Sequence, residues 1–270
     1  MADRAELTAL LRGLGRVLLG YSGGVDSSVL GALATESLGP DRFLAVIGRS
    51  ASYPAVQYRQ ALALAEERGM PLLEVDTQEL DDPRYVANPT NRCYFCKTEL
   101  WGRLGALALE LRFDTVIDGT NADDLGEHRP GFAAGKAHAV RSPLAELAWR
   151  KVDVRNLARE LGLPVWNAPA SPCLSSRIRY GLRVTPERLT QVEQAEAFLR
   201  GLGVEGDLRV RHHGDVATIE VGQSMTARLE ARWSEIEQHF ASLRFARVER
   251  DPRGYRRGSL LPVVGLTDIA

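Results

Sequence analysis

The stretch from residue 20 to residue 30, GYSGGVDSSVL, combines the glycine pair Gly23 and Gly24 with three serine hydroxyls where an apolar strand-like segment gives way to a helix-like one. Glycines let the backbone approach a ligand closely, successive N–H groups form a concave anion site, and a helix N-terminus adds a positive dipole end. The spacing is neither that of a Walker A loop nor that of G-x-G-x-x-G. It predicts a phosphate-binding loop that contains Ser22, Gly23, Gly24, Asp26, Ser27 and Ser28. A serine-rich turn without a ligand is the alternative.

Asp26 brings a negative charge into this loop. Because two anions repel, a Mg²⁺ ion between Asp26 and a bound pyrophosphate is predicted. The segment 113–119 is read as a strand that ends in DGTNADD, which places Gly119 and Thr120 at the same sheet edge as the loop. For Asp123 and Asp124, metal or substrate binding and plain solvation are equally open interpretations.

The three cysteines lie in two separate segments of the sequence. RCYFCK gives Cys93 and Cys96 in a C-x-x-C pair at a predicted helix start, and ASPCLSSR gives Cys173 in a loop bracketed by prolines. An odd number of cysteines in a compartment where disulfides are rare indicates core residues, catalytic thiols or metal ligands. The three thiols can meet if a helix start and a loop at one sheet edge face the same crevice. A lone buried cysteine is commonly a small hydrophobe, an interpretation that the C-x-x-C pair weakens.

Two kinds of metal site would use these thiols. Structural zinc takes four ligands, so three cysteines would need a histidine such as His128, or would leave an open catalytic position. A [4Fe-4S] cluster held by three thiolates would keep one iron open for a further ligand such as sulfide. Spacing alone does not decide between them.

The elements that must position these residues alternate between strand and helix, which predicts an α/β fold with a parallel sheet covered on both faces. Predicted strands are 16–21, 42–48, 71–76, 113–119, 139–144 and a short one at 164–166; predicted helices follow an N-terminal amphipathic one at 25–39, 53–69, 92–112 and 151–162. Ligands of such sheets bind at the carboxyl ends of the strands.

The pattern changes after Tyr180 and Gly181. A helix at 185–203, two strands within 207–222 joined by a tight turn, a helix at 224–243 and a strand at 244–249 predict a smaller α+β module with an antiparallel sheet. The predicted domains are therefore 1–180, 181–250 for substrate binding or oligomerisation, and a C-terminal arm at 251–270.

Composition limits the partners. The 270 residues are 44% hydrophobic, and 34 Lys and Arg against 35 Asp and Glu leave a net charge of -1, so no global attraction to nucleic acid or to an anionic membrane is expected. No apolar run approaches the roughly 20 residues that cross a bilayer, and the first residues lack the layout of a signal peptide. A cytoplasmic protein without nucleic-acid or membrane partners is predicted.

The motifs together resemble a known family. SGGVDSS resembles the SGGxDS pyrophosphate loop of ATP pyrophosphatases, and the remaining motifs extend the likeness over nearly the whole chain: CYFCK, DGTNADD, RPG, SPLAEL, PASPCLSSRIRYG and LRVRHHGDVATIEV. This set resembles the LarE family of ATP-dependent sulfur transferases. The resemblance implies a PP-loop domain that binds ATP, adenylates a carboxylate of pyridinium-3,5-dicarboxylate mononucleotide and transfers sulfur to it during nickel-pincer cofactor assembly. It also implies a homo-oligomer, a trimer or a hexamer.

The resemblance implies roles for the remaining residues. In members with one cysteine, the thiol matching Cys173 is sacrificed, whereas members with an additional C-x-x-C are thought to hold a [4Fe-4S] cluster. Cys93, Cys96 and Cys173 are therefore predicted as cluster ligands, with the sacrificial role as the alternative. Cys173, Asp26 and Arg177 are predicted to be catalytic, with an unknown sulfur donor.

Arginines near the third cysteine and on a strand are predicted to bind substrate. Arg177 would lower the pKa of the Cys173 thiol or, alternatively, only pack the loop. Arg209 and Arg211 lie two apart on a strand, face the same side, and match positions assigned to the substrate phosphate in the family. A solvated strand face is the alternative for them. Ser176 and Arg177 complete the predicted substrate contacts.

Two other functions fit parts of the pattern. A tRNA-thiolating PP-loop enzyme also combines this loop with cysteines, but the near-neutral charge and 7% aromatic content disfavour an RNA surface. A non-enzymatic, ATP-gated iron–sulfur carrier would bind nucleotide without releasing pyrophosphate.

Overall fold

The computed structural model describes residues 2–126, 130–169, 172–256 and 260. These residues form two compact units. The first is drawn from Met1–Tyr85 and Asn91–Ser171, and the second from Val86–Thr90 and Pro172–Ala270. No helix in the described part of the chain is long and apolar enough to cross a membrane.

The first unit is built on a four-stranded parallel sheet with the strand order β3-β2-β1-β4. Its strands are β1 (Val17–Tyr21), β2 (Phe43–Arg49), β3 (Leu72–Asp76) and β4 (Thr115–Ile117). Its helices are α1 (Arg4–Gly13), α2 (Val25–Leu38), α3 (Ala55–Glu67), α4 (Pro83–Val86), α5 (Arg92–Glu110), α6 (Pro130–Ala137), α7 (Pro143–Glu146) and α8 (Lys151–Glu160). The predicted α/β class with a parallel sheet is confirmed.

Alternation along β1 explains why both faces of this sheet are covered. Val17 and Leu19 point to one hydrophobic cluster, which contains residues of α1, α2, α3 and α8. Leu18 points to the other, with Trp101 and Leu104 of α5. Side chains of successive strand residues point to opposite faces, so an entirely apolar strand needs helices on both sides.

The second unit carries a three-stranded sheet with the order β5-β6-β7. Its elements are α9 (Pro186–Gly201), β5 (Leu208–His212), β6 (Val216–Val221), α10 (Thr226–Ala231), α11 (Trp233–Ser242) and β7 (Arg247–Arg250). Thr185 caps α9 by accepting a hydrogen bond from the Arg188 N–H. The strands β5 and β6 are antiparallel, but β7 runs parallel to β6, so the prediction of an entirely antiparallel sheet was wrong. The helix-rich connection from β6 to β7 supplies the crossover that a parallel pair requires.

Three further local predictions were wrong. The segment 139–144 holds only an isolated bridge between Ile117 and Arg141 before α7 begins, and the predicted strand at 164–166 is a 3₁₀ turn, Pro164–Asn167. The single helix expected at 224–243 is broken at Arg232 into α10 and α11. Short apolar runs next to proline do not distinguish a strand from a turn.

The boundary between the units also lies elsewhere than at residue 180. The second unit begins at Pro172 and includes the segment Val86–Thr90 from the first half of the sequence. Backbone hydrogen bonds explain this division, because Gly181 N–H donates to Asn88 O at 2.9 Å and Val184 N–H donates to Val86 O at 2.9 Å. Most of the predicted arm at 251–270 lies outside the described residues.

Candidate active site

The predicted phosphate loop joins the carboxyl end of β1 to the start of α2. Ser27 Oγ donates to Gly24 O at 3.1 Å and accepts from the Ser22 N–H at 3.2 Å, which closes the loop on itself. Ser27 and Ser28 are buried, and the Ser27 hydroxyl shapes the loop from inside. Gly23 has a φ of +64°, and a Cβ there would lie 2.4 Å from Ala61 Cβ. Only glycine fits this turn of the loop.

A tyrosine holds the loop from outside. Tyr53 donates from its hydroxyl to Ser22 O at 2.7 Å, and Gln57 Nε2 donates to the same oxygen at 3.3 Å. Burial raises the pKa of Tyr53, so it stays a neutral donor. With the Ser22 carbonyl fixed outward, the loop keeps the concave shape that suits an anion.

Asp26 is engaged by two side chains at the carboxyl edge of the sheet. Asn121 Nδ2 donates to Asp26 Oδ1 at 3.1 Å, and the Lys151 ammonium donates to Asp26 Oδ2. Gly119 lies directly against the loop, because a Cβ at this position would be 2.9 Å from Ser27 N. The predicted convergence of the DGTNADD segment on the loop is therefore present. Lys151 was not predicted.

The neighbouring carboxylates organise this edge. Asp118 Oδ2 accepts from Thr120 Oγ1 at 2.7 Å, and Asp118 Oδ1 accepts from Ser142 Oγ at 2.7 Å. Asp123 accepts from the Lys151 N–H at 2.9 Å and from Arg150 Nε at 3.0 Å. Those hydrogen bonds, the backbone one first, lower the pKa of Asp123.

Asp124 also bonds inside this loop, accepting from the Asn121 N–H at 3.1 Å. Asp123 thus fixes the start of α8, and Asp124 fixes the loop that carries Asn121. Both carboxylates therefore position other residues at this edge of the sheet.

The C-x-x-C pair lies in the first turns of α5, a helix of 19 residues. Cys93 is exposed and Cys96 is half-buried. Within the described ranges, no three His, Cys, Asp or Glu side chains are grouped closely enough to hold a metal ion. His128, the fourth ligand considered for zinc, lies outside the described residues.

Cys173 precedes a 3₁₀ turn, Leu174–Arg177, in the second unit. The thiol residue is half-buried, and its carbonyl accepts from the Ser176 N–H at 2.9 Å. Arg177 is 2% exposed. Its Nη1 donates to Cys173 O at 3.0 Å and to Pro172 O, and its Nε donates to Glu196 Oε1 at 2.9 Å. Arg177 therefore holds the turn together from inside, which supports the interpretation of a packing arginine.

Arg209 and Arg211 are buried on β5, so the alternative of a solvated strand face was wrong. Arg211 Nε donates to Glu220 Oε2 at 2.9 Å, and its Nη1 donates to Ser176 O at 3.0 Å. Burial lowers the pKa of Arg209, whose guanidinium lies 5.1 Å from the centre of the Tyr255 ring. The structure thus brings Ser176, Arg177 and both strand arginines into one cluster beside Cys173.

Comparisons with known proteins identify the family of this chain. The family model described as NAD synthase matches residues 10–172. The pyridinium-3,5-bisthiocarboxylic acid mononucleotide synthase of Lactiplantibacillus plantarum is 35% identical over 95% of this chain and 93% of its own. The chain belongs to the LarE family, within the PP-loop superfamily. As a LarE-family protein it is an ATP-dependent sulfurtransferase.

Other proteins are also similar in sequence to this LarE-family chain. An uncharacterised protein of Synechocystis sp. is 43% identical over 92% of both chains. A chain of the glutamine-hydrolyzing GMP synthase of Thermococcus kodakarensis is 27% identical over 84% of this chain and 85% of its own. ATP use is common to the PP-loop superfamily. The Cys173 turn lies in the second unit, after the residues 10–172 that the family model matches.

Sequence reasoning missed three charged residues of the LarE-family site: Lys151, Glu196 and Glu220. Each lies on a regular helix or strand, and their partners Asp26, Arg177 and Arg211 lie 125, 19 and 9 positions away in sequence. Lys151 had one weak signal, its place at the start of a helix that follows an apolar segment. Glu196 and Glu220 had none, because a single glutamate in an amphipathic pattern is typical of a solvated face.

Proposed function

We propose that this LarE-family enzyme adenylates and then thiolates the carboxylates of pyridinium-3,5-dicarboxylate mononucleotide, in assembly of the nickel-pincer cofactor. The observation that carries the proposal is the bond from Arg211 Nη1 to Ser176 O at 3.0 Å, which ties the Cys173 turn to the buried arginine strand. A sulfur centre beside guanidiniums suits a substrate that brings both an anionic group and a carboxylate to be sulfurated. The name of the Lactiplantibacillus relative supports the same substrate class.

The first step uses the loop of the first unit. A substrate carboxylate oxygen attacks the α-phosphorus of ATP, the bond to the bridging β-phosphate oxygen breaks, and pyrophosphate leaves. Main-chain N–H groups of residues 23–27 receive the growing charge of pyrophosphate, helped by the α2 N-terminus. Lys151 offsets the charge of Asp26, which would otherwise repel the phosphates.

The second step uses the acyl-adenylate. A sulfur nucleophile attacks the acyl carbon, the carbon–oxygen bond to the phosphate breaks, and AMP leaves with that electron pair. The proposed source of sulfur is at Cys173. Arg177 holds the backbone of the Cys173 turn through two carbonyls, so the thiol residue keeps its place during the step.

Magnesium is proposed at the loop, with Asp26 as its protein ligand. A single carboxylate together with substrate phosphate oxygens is the donor set that Mg²⁺ usually takes in nucleotide enzymes, so the residues fit the ion. In that role Mg²⁺ neutralises phosphate charge. Pyrophosphate release should therefore require added Mg²⁺ and stop with a chelator.

The mononucleotide phosphate is proposed to bind Arg209 and Arg211. Their burial supports this role, because a desolvated guanidinium binds a phosphate more strongly than one in water. Arg209→Lys keeps the charge but loses the planar fork, so the substrate KM should rise about tenfold or more. The exposed Arg247 of β7 gives the matched control, Arg247→Lys, with an unchanged KM.

An iron–sulfur cluster is proposed on Cys93, Cys96 and Cys173. The donor chemistry fits, because cysteine thiolates are the ligands of such clusters and the C-x-x-C spacing places two of them one helical turn apart. When bound, a cluster with three protein thiolates supplies an iron that can carry an added sulfide.

Four other expectations stay predictions: a trimer or hexamer, an unknown sulfur donor, the absence of nucleic-acid and membrane partners, and a cytoplasmic location.

The function is tested by anaerobic incubation of the purified protein with ATP, Mg²⁺ and the pyridinium dicarboxylate mononucleotide. AMP, pyrophosphate and a product mass with oxygen replaced by sulfur are expected. Absence of both AMP and the sulfur-containing product would exclude the proposal. Pyrophosphate release without the sulfur-containing product would support the adenylation step and contradict the thiolation step.

The cluster is tested separately on anaerobically purified protein. Visible absorbance and bound iron should be present in the parent and lost in Cys93→Ala. If the parent holds no iron and its Cys173 loses one H₂S equivalent in a single turnover, the cluster proposal is contradicted and the sacrificial route is supported.

A further inference from the structure

We propose that Asn88 is a positioning residue for Cys173, holding the chain segment 178–182 that leads out of the Cys173 turn. This inference rests on the proposed role of Cys173 in sulfur transfer. Asn88 lies outside the motifs of the resemblance, because none of the quoted motifs includes residues 86–90. Its own contacts, all inside the second unit, carry the argument.

The side chain of Asn88 is fully buried and serves three main-chain carbonyls. Its Nδ2 donates to Leu182 O at 2.8 Å and to Arg179 O at 2.9 Å, with Ile178 O at 3.3 Å. In return, the Gly181 N–H donates to Asn88 O at 2.9 Å. One carboxamide therefore makes the hydrogen bonds to these carbonyls that a neighbouring strand would otherwise make, although the segment lies about 90 residues away in sequence.

The backbone of Asn88 is also shaped for this task. Its φ of +55° lies in the left-handed region, which asparagine tolerates better than most residues. The segment Val86–Thr90 belongs to the second unit although its chain neighbours on both sides belong to the first. A buried, left-handed asparagine at the centre of that segment keeps the amide aimed at residues 178–182.

The held segment connects directly to the reactive turn. The Ile178 N–H donates to Ser175 O at 3.0 Å, and the Arg179 N–H donates to His212 O at 3.1 Å, so β5 holds one side of the segment and Asn88 the other. Ser176 O in the turn accepts from Arg211 of the same strand. Release of the Asn88 side would let the segment and the turn shift against the arginines, which changes the surroundings of Cys173.

Two substitutions separate the amide from the backbone shape. Asn88→Gly keeps the left-handed backbone and removes the carboxamide. Asn88→Asp keeps the size of the side chain but replaces the Nδ2 donor, which faces three carbonyls, with an acceptor oxygen. Thr90→Gly is the matched control, because Thr90 is an exposed residue of the same segment.

The readout is the alkylation rate of Cys173 by iodoacetamide in a Cys93→Ser, Cys96→Ser background, where Cys173 is the single thiol. Both Asn88 variants should change this rate about fivefold or more below their unfolding temperature, and Thr90→Gly should stay within about twofold of the parent. In the three-cysteine enzyme, the same variants should lower kcat for thiolated product and leave the KM for ATP unchanged.

A lower unfolding temperature with an unchanged alkylation rate in both Asn88 variants would overturn the proposal, because it would leave Asn88 a purely structural role. If neither variant folds, Gly181→Ala perturbs the same segment more gently, at a φ of +79° with open space around the added Cβ. An unchanged alkylation rate in Gly181→Ala would then overturn it. Alkylation reads the surroundings of Cys173 whether or not the parent makes thiocarboxylate, so a failure of the proposed function is detected separately.

Discussion

Lys151 places its ammonium group against the carboxylate of Asp26, 125 positions away in the sequence. Lys151 is the first residue of α8, and Asp26 lies in the first turn of α2, so two helix starts meet at the phosphate loop. Asp123 fixes the start of α8 by accepting from the Lys151 N–H. The pair is partly buried, which lets its charges interact more strongly than on an open surface.

Replacement of Lys151 by alanine should lower pyrophosphate release about 100-fold, because the site would lose a positive charge that, together with the proposed Mg²⁺, offsets the charges of Asp26 and the phosphates. Lys151→Arg should restore part of the rate. The measurement is pyrophosphate released per enzyme with ATP and substrate saturating. The folded state should change little, because the lysine side chain is 40% exposed.

Arg150→Ala is the matched control for Lys151→Ala. Arg150 is the adjacent cation, is 70% exposed, and pairs with Asp123 rather than Asp26. Exposed pairs contribute little, so its rate should remain within about threefold of the parent. Equal losses in both variants would contradict a specific role for Lys151.

The phosphate loop and the sheet could be predicted from the sequence because their signals are local. The loop is contiguous, and the strands around it are short apolar runs between helical patterns, which fixes the parallel sheet and its carboxyl edge. Residues 119–124 were predicted at that edge because they directly follow a strand.

The partners of the reactive residues could not be predicted in the same way. Glu196 reaches Arg177 from a helix 19 positions on, and Asn88 reaches residues 178–182 from 90 positions back. Such contacts depend on how the chain packs, and a single sequence has no periodic signal for them. The parallel pairing of β7 was missed for the same reason, because strand direction depends on the path of the connection.

Gly23→Ala should disrupt the phosphate loop, whereas Gly39→Ala should not. Both glycines have positive φ, and the ψ of 175° at Gly39 is in a region that alanine avoids, so both variants carry a backbone cost of roughly 1–3 kcal/mol. Only at Gly23 would the added Cβ meet another atom, Ala61 Cβ at 2.4 Å. ATP affinity, measured by calorimetry, should fall at least about tenfold in Gly23→Ala and stay near the parent value in Gly39→Ala. Equal affinities in the two variants would contradict the described loop shape.

Glu196→Gln should destabilise the second unit by roughly 3 kcal/mol, because it leaves the guanidinium of Arg177 buried beside a neutral partner. The control is Glu235→Gln, which removes an exposed pair with Arg232 and should cost below about 1 kcal/mol. Urea unfolding followed by circular dichroism gives the free energy of unfolding for each. A small, equal loss in both variants would mean that Arg177 does not depend on Glu196.

His212 should make the second unit acid-sensitive. The ring is 1% exposed, its Nδ1 accepts from the Gly214 N–H at 3.2 Å, and its Nε2 lies 2.9 Å from Gln191 Oε1. These partners fit a neutral ring that carries its proton on Nε2, because a second proton on Nδ1 would face the Gly214 N–H. Burial, with Arg188 and His213 adding to it, lowers the pKa of His212 to about 4.

The sign of the pH effect follows from that shift. Between the ordinary histidine pKa of about 6.5 and the folded value of about 4, the unfolded chain binds more protons than the folded one. The contribution of His212 to stability is therefore complete above pH about 6.5 and is lost as the pH falls toward about 4, by at most about 1.4 kcal/mol per pH unit. Urea unfolding of the parent and of His212→Gln across this range measures it, because carboxylate contributions cancel in the difference. The parent should lose stability relative to the variant as the pH falls, and parallel curves would show that the ring does not titrate between these limits.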